Sequence, residues 1–145
     1  MIYSGKFLGS TNSRQRKIRI LIAKVGLDGH DRGAQFLIQV FREAGFLVYY
    51  TGIRKTPEQV ALAAITHKVD VIGLSSLSGA HRTLFPKVVQ QVRRKSKKNI
   101  PIIAGGIIPA EDIPFLLEQG IVQIFNSTHT IDEMITCIIN TTKSN

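Results

Sequence analysis

The sequence predicts an α/β fold: one parallel sheet with helices wound over both faces. Three observations predict it. Short, nearly continuous apolar runs recur along the chain, as strands buried on both faces require. Each run is followed by a segment whose apolar residues fall at helical spacing. The strand–helix alternation repeats five times within 145 residues, a length that fits one domain with a sizeable core.

Strand one is expected over about Ile18–Lys24. Helix one covers about Gly33–Ala44, with Ala34, Leu37, Ile38 and Phe41 on one face, and Gly45 closes it. Strand two is Phe46–Thr51. Thr56-Pro57-Glu58-Gln59 opens the second helix, with Thr56 as N-cap, Pro57 in the first helical position and Gln59 completing a capping box. That helix runs to about Lys68. Strand three is Val69–Leu74, apolar except for Asp70 at its entry. Helix three covers about Ala80–Lys97, strand four Ile100–Ala104, helix four Pro109–Gln119, strand five Val122–Phe125 and helix five Ile131–Thr142. Five such units match the doubly wound, flavodoxin-like sheet of strand order 2-1-3-4-5 with right-handed crossovers. Residues 1–16 are polar and without period and read as a flexible N-terminal arm, leaving 17–145 as the folded domain.

Bulk composition narrows the function classes. No apolar run approaches the roughly 18 residues of a membrane span, so no membrane partner is expected. The N-terminus lacks the order of a secretory signal, and the single cysteine, Cys137, reads as a buried small hydrophobe in an apolar helix. These features point to a cytoplasmic protein. The formal net charge is +9. Arg14, Arg16, Lys17 and Arg19 crowd the start, and Arg93, Arg94, Lys95, Lys97 and Lys98 end one helix, where cations complement the helix dipole. No aromatic residues interleave with the basic run, as base stacking would want, so no nucleic-acid partner is expected.

In a doubly wound sheet, ligands bind beyond the carboxyl ends of the strands, at the switch point between strands one and three. The loop after strand one offers Lys24, Gly26, Asp28, Gly29, His30, Asp31, Arg32 and Gly33. A histidine there, with a carboxylate two residues earlier, is the wiring of a metal-ligating imidazole whose other nitrogen is held by an acid. After strand three come Ser75, Ser76, Leu77, Ser78 and Gly79, then His81; after strand four come Gly105 and Gly106. Three small-residue loops at one edge would let something flat or extended approach the backbone.

Other chemistries fail on specifics. The G-x-G-x-x-G spacing of a dinucleotide loop is absent, and strand two ends Tyr49-Tyr50-Thr51 rather than in an acid. There is no Walker motif and no G-x-S-x-G elbow. A receiver domain needs an aspartate where Ser75 stands. His30, His67, His81 and His129 are scattered, unlike a zinc site. His67 reads as exposed and silent, and His129 as a helix-start residue. One histidine with one orienting carboxylate suits a metal that brings its own macrocycle.

Asp28-x-His30-x-x-Gly33, Ser75-x-Leu77 and Gly105-Gly106 resemble the D-x-H-x-x-G, S-x-L and G-G signature of cobalamin-binding domains. Ala23 to Gly33, Thr56-Pro57-Glu58 and Ser78 to Leu84 are similar to the branch found in methylmalonyl-CoA mutase and in the separate small subunits of related acyl-CoA mutases. The resemblance spans about Lys17 to Phe125. It implies His30 as the lower axial ligand of cobalt, Asp28 accepting from the far imidazole nitrogen, and Lys24 pairing with Asp28. It implies a buried benzimidazole tail, hydrogen-bonded by Ser75, packed by Leu77 and passing Gly105, Gly106 and Gly33. His81 matches a family position and would face the cofactor or a partner subunit.

The implied cofactor is adenosylcobalamin, and the implied activity is radical carbon-skeleton isomerisation of an acyl-CoA. This chain is too small to hold the acyl-CoA as well. The implied assembly is therefore a hetero-oligomer with a large acyl-CoA-binding mutase subunit; a stand-alone cobalamin carrier or sensor is the alternative. One departure stands out. Where related mutases carry a Phe-Gly-Pro-Gly-Thr-like loop, this chain has Phe125-Asn126-Ser127-Thr128-His129-Thr130.

Overall fold

The computed structural model describes residues 16–26, 31–76 and 79–143. The elements run β1 (Arg19–Lys24), α1 (Arg32–Glu43), β2 (Leu47–Tyr50), α2 (Pro57–Thr66), β3 (Val71–Ser76), α3 (His81–Lys95), β4 (Ile102–Gly106), a 3-10 turn (Ala110–Asp112), α4 (Ile113–Glu118), β5 (Gln123–Phe125) and α5 (Ile131–Lys143). All strand pairs are parallel, and the order across the sheet is β2-β1-β3-β4-β5. The predicted doubly wound topology is therefore the observed one. No helix among the described residues is long and apolar enough to cross a membrane.

Two apolar layers hold the sheet. Leu21, Ala23, Ile72, Leu74, Ile102 and Ala104 point to one face and pack under α2, α3 and α4. Ile20, Ile22, Val71 and Ile103 point to the other, under α1 and α5, where they meet Ala34, Ile38, Ile135 and Ile138. Residues two apart along one strand share a face, so each strand feeds both layers. This explains why the strands read as unbroken apolar runs.

Several boundaries differ from the sequence reading, each for a local reason. β3 continues through Ser75 and Ser76, and β4 through Gly105 and Gly106, because Ser75 pairs with Gly105 and Ser76 with Gly106. The expectation that these four sit in loops is corrected: they form the last rungs of the ladder. β3 starts at Val71 because the Val69 amide still donates to Ala64 of α2, and that helix stops where Lys68 turns to φ 53°. The fourth helix splits into a 3-10 turn and a short α4, with Pro114 in its first turn. α3 ends at Lys95, where Ser96 is extended. The capping box of α2 is present in both directions: the Gln59 amide donates to Thr56 Oγ1 and the Thr56 amide to Gln59 Oε1. Cys137 is half-buried rather than buried, with Sγ 3.7 Å from Thr141 Oγ1.

The β3–β4 junction depends on one missing side chain. Gly106 has φ 119°, and a Cβ there would collide with the backbone of Ser76. The ladder runs on beyond it, since the Ile107 amide donates to Ser76 O at 3.0 Å. At the opposite edge, where strands begin and helices end, Asp70 is 8% exposed. It accepts two hydrogen bonds from Arg16, at 2.7 and 3.0 Å, and one from the Arg19 amide at 2.8 Å. Arg16, which the sequence reading assigned to the arm, is thus held against the sheet; residues 1–15 lie outside the described residues.

Charge is unevenly divided between the two edges, although Lys24, Arg32, Arg54, Lys55 and Arg82 lie at the carboxyl edge. Arg42 ends α1, Arg93, Arg94 and Lys95 end α3, Lys143 ends α5, and Arg16, Lys17 and Arg19 lead into β1, all at the strand-start edge. Glu43, Asp70 and Glu118 are the acids there among the described residues. Asp31, Glu58, Glu111, Asp112, Asp132 and Glu133 lie instead at or near helix starts, toward the carboxyl edge. Helix dipoles favour this division, with acids at N-termini and cations at C-termini.

Two outcomes test this architecture by urea denaturation. Gly106→Ala should cost at least about 2 kcal/mol, because it forces a positive φ on alanine and drives its Cβ into strand backbone. Burial raises the Asp70 carboxyl, but hydrogen bonds from Arg16 and the Arg19 amide outweigh it and hold the group below the usual carboxylate range. Its contribution is therefore present above the ordinary carboxylate pKa and lost as pH falls through the lowered native value. Asp70→Asn should cost about 2 kcal/mol at neutral pH, and the difference from the parent chain should shrink in acid.

Candidate functional site

The site is built at the carboxyl edge of the central strands. Register places Lys24 of β1 beside Ser75 of β3, Ser75 beside Gly105 of β4, and Gly105 beside Phe125 of β5. Parallel partners at one level share a face, here the one under α1 and α5. Lys24 is 1% exposed, and its Nζ lies 3.5 Å from Ser75 Oγ. A buried ammonium is tolerated only where polar groups receive it. One level deeper on the same face stands Gly73. Gly73, Ser75 and Gly105 therefore make a strip of small residues beside a buried cation. A Cβ at Gly105 would sit 3.3 Å from Phe125 O. Gly106 lies on the other face, and its lack of a side chain serves the strand contact already described.

The loop after β1 hangs between two fixed points. The Gly26 amide donates to Lys55 O at 2.8 Å, the Lys55 amide returns to Lys24 O at 3.2 Å, and Val25 bridges Lys55. Gly26 takes φ 87°, where its missing Cβ leaves room for Leu84. On the far side, Asp31 is the N-cap residue of α1 and its carbonyl accepts from the Gln35 amide. Leu27, Asp28, Gly29 and His30 between these anchors lie outside the described residues, as do Leu77 and Ser78. The expected relay partner Asp28, the expected metal ligand His30 and the packing residue Leu77 fall there. Arg32 and Gly33 are exposed in the first turn of α1, and a Cβ on Gly33 would meet open space. Gly79 has positive φ just before α3, again with open space around it.

His81 opens α3 and is 4% exposed. Its Nε2 lies 2.7 Å from Asp112 Oδ2 in the 3-10 turn after β4, and the other oxygen of Asp112 accepts from Arg82 at 2.9 Å. The Arg82 guanidinium lies 4.1 Å over the Phe115 ring. The hydrogen bond with His81, joined by that from Arg82, holds the Asp112 carboxyl below its usual range. His81 Nδ1 is buried without a hydrogen-bond partner among the described residues. This clamp ties the loop after β3 to the loop after β4. Asp112 and Phe115 escaped the sequence reading, because nothing in their spacing announces a partner some thirty positions away.

The loop after β5, where the chain departs from the expected pattern, is ordered by its own polar residues. The Asn126 amide donates to His129 Nδ1 at 3.0 Å, and the Thr128 amide donates to Asn126 Oδ1 at 2.9 Å. The His129 ring meets Phe125 edge-on at 5.2 Å. Thr130 and Glu133 then cap α5 reciprocally, a box readable as T-x-x-E. His67 is exposed, and its ring stacks on Tyr49 at 4.3 Å.

Comparison with known proteins agrees with this geometry. The model of the B12 binding domain family matches residues 18–134. The 2-hydroxyisobutanoyl-CoA mutase small subunit of Aquincola tertiaricarbonis is 43% identical over 110 residues, covering 76% of this chain and 81% of that protein. The methylmalonyl-CoA mutase of Escherichia coli strain K12 is 38% identical over 125 residues, covering 86% of this chain but 18% of that protein. The chain thus spans under a fifth of the methylmalonyl-CoA mutases it matches. Among solved structures, a cobalamin-binding protein from Desulfitobacterium hafniense DCB-2 shares the fold with TM-score 0.66 and 20% identity, over 75% of this chain and 53% of that one. With the family model spanning β1 to the start of α5, and a parallel sheet that gathers Lys24, Ser75 and Gly105 at its switch point, the chain belongs to the B12-binding domain family and is homologous to the cobalamin domains of acyl-CoA mutases.

Proposed function

We propose that this protein is the cobalamin-carrying small subunit of an adenosylcobalamin-dependent acyl-CoA mutase, active only with a separate large subunit that holds the acyl-CoA. The observation that carries the reading is the match to a mutase small subunit at 43% identity over 81% of its length, against under a fifth of the methylmalonyl-CoA mutases. The residues present fit the cofactor. Ser75 and Gly105 would accept an extended tail against the backbone, Gly73 below them being covered by Ile22, and Lys24, buried beside them, would close a relay that no purely apolar core would need.

Adenosylcobalamin, when bound, supplies a carbon radical by homolysis of its cobalt–carbon bond. The chain's own residues bind and orient. His30 would hold cobalt through one imidazole nitrogen. Asp28 would accept a hydrogen bond from the other, and Lys24 would keep that carboxylate charged, which sets the electron donation of the imidazole. Ser75 would donate to the benzimidazole nitrogen of the tail. The clamp of His81, Asp112 and Arg82 would hold the loops after β3 and β4 at a fixed separation, so that the tail meets a preformed wall.

Two measurements test this. The absorption spectrum of the cobalamin-loaded chain should show the base-off, histidine-on form, and His30→Ala should abolish it; identical spectra would remove His30 as ligand. Asp28→Asn should retain the spectral form while weakening cobalamin binding by about tenfold to a hundredfold. Separately, the loaded chain should co-elute with a mutase large subunit on size exclusion. The mixture should isomerise one of methylmalonyl-, isobutyryl- or 2-hydroxyisobutyryl-CoA. Cobalamin binding without co-elution or turnover would identify a stand-alone carrier instead.

A further inference from the structure

The edge opposite the cobalamin site carries a groove that the mutase reading does not use. It measures about 360 Å³ and lies between the C-terminal half of α3 and the starts of β4 and β5. Val122 contributes exposed apolar surface beside the buried Val92 and Ile100, and exposed Arg93, Lys97 and Lys98 line the same groove. Val122 is 48% exposed although its neighbours Ile121 and Ile124 are buried. Arg93 is seated rather than loose. A Cβ at Gly120 would lie 2.6 Å from its guanidinium, so the glycine lets Arg93 lie across the turn between α4 and β5. Lys98 is drawn to Asp70, 3.7 Å away, and the helix dipole accounts for the last turn of α3, but neither accounts for Lys97, which lies beyond the helix in the loop to β4.

We infer that this groove is a docking site for an acidic, leucine-bearing segment of another protein. An acidic peptide complements Arg93 and Lys97, and apolar side chains on it would desolvate Val122. The lining favours a peptide over other polyanions. No aromatic residue lines the groove, so nothing there stacks a base. The exposed apolar surface is that of one side chain, Val122, too little to seat a lipid surface. The site is remote from the cobalamin edge, so a partner could sit there while the other edge faces a large subunit.

Fluorescence anisotropy of the full chain tests this, with a labelled short peptide of glutamates flanking two leucines as probe. Binding should weaken about tenfold or more in Val122→Asp and in the double variant Arg93→Glu, Lys97→Glu, while cobalamin binding and circular dichroism stay as in the parent. The matched peptide without leucines should bind at least about tenfold more weakly than the probe. Equal binding of the two peptides, or an unchanged affinity in Val122→Asp, would overturn the inference. Tighter binding to a DNA duplex or to phosphatidylserine vesicles would overturn it in favour of those polyanions. Self-association of the chain that Val122→Asp abolishes would assign the groove to a second copy.

Discussion

A buried ammonium decides how this molecule is organised. Lys24 sits at the carboxyl end of the central strand, almost wholly removed from water, and parallel register sets it level with Ser75 and Gly105. Such a charge is costly in an apolar interior unless polar groups receive it. Ser75 Oγ, 3.5 Å from Nζ, is one such group. Gly73, Ser75 and Gly105 keep the face beside it small, and the loop that follows is tied to Lys55 at one end and to the N-terminus of α1 at the other. A polar centre inside a doubly wound sheet, placed at its switch point, is where such a fold takes its ligand.

The two edges of the sheet divide the work through the same topology. In a parallel sheet with helical crossovers, every strand ends and every helix begins at one edge, and the reverse holds at the other. The carboxyl edge therefore collects loops, helix N-termini and acids, and the clamp of His81, Asp112 and Arg82 braces two of those loops. The other edge collects helix C-termini and cations. There Asp70 is the buried acid that gathers Arg16, the Arg19 amide and Lys98, anchoring the entry to β1 among positive charges. Among the described residues, most of the excess positive charge thus lies away from the carboxyl edge.

The strand ends at the carboxyl edge were legible because each follows an apolar run, while Asp28, His30 and Leu77 lie outside the described residues. Lys24 to Gly33 is a contiguous motif on a strand-to-helix turn, and Ser75, Gly105 and Phe125 each end an apolar run. Strand ends were misplaced by two residues in β3 and β4 for a physical reason. Serine and glycine are turn formers by local preference, and only the pairing of Ser75 with Gly105 and Ser76 with Gly106 keeps them extended. Likewise Gly106 reads as a concession to a ligand, whereas the strand beside it already occupies the space.

Sequence alone determined the alternation of strands and helices, the doubly wound class and the family. All of these rest on local periodicity, capping and contiguous spacing, which act over a few residues. Tertiary structure decided that Lys24 is buried against Ser75, that His81 is spent on Asp112, that Arg16 closes on Asp70, and that Arg93 crosses Gly120 to frame a groove. Those pairs join positions between 27 and 54 residues apart. No local preference encodes such a contact; it exists only once the strands have settled into register and the helices have packed across them.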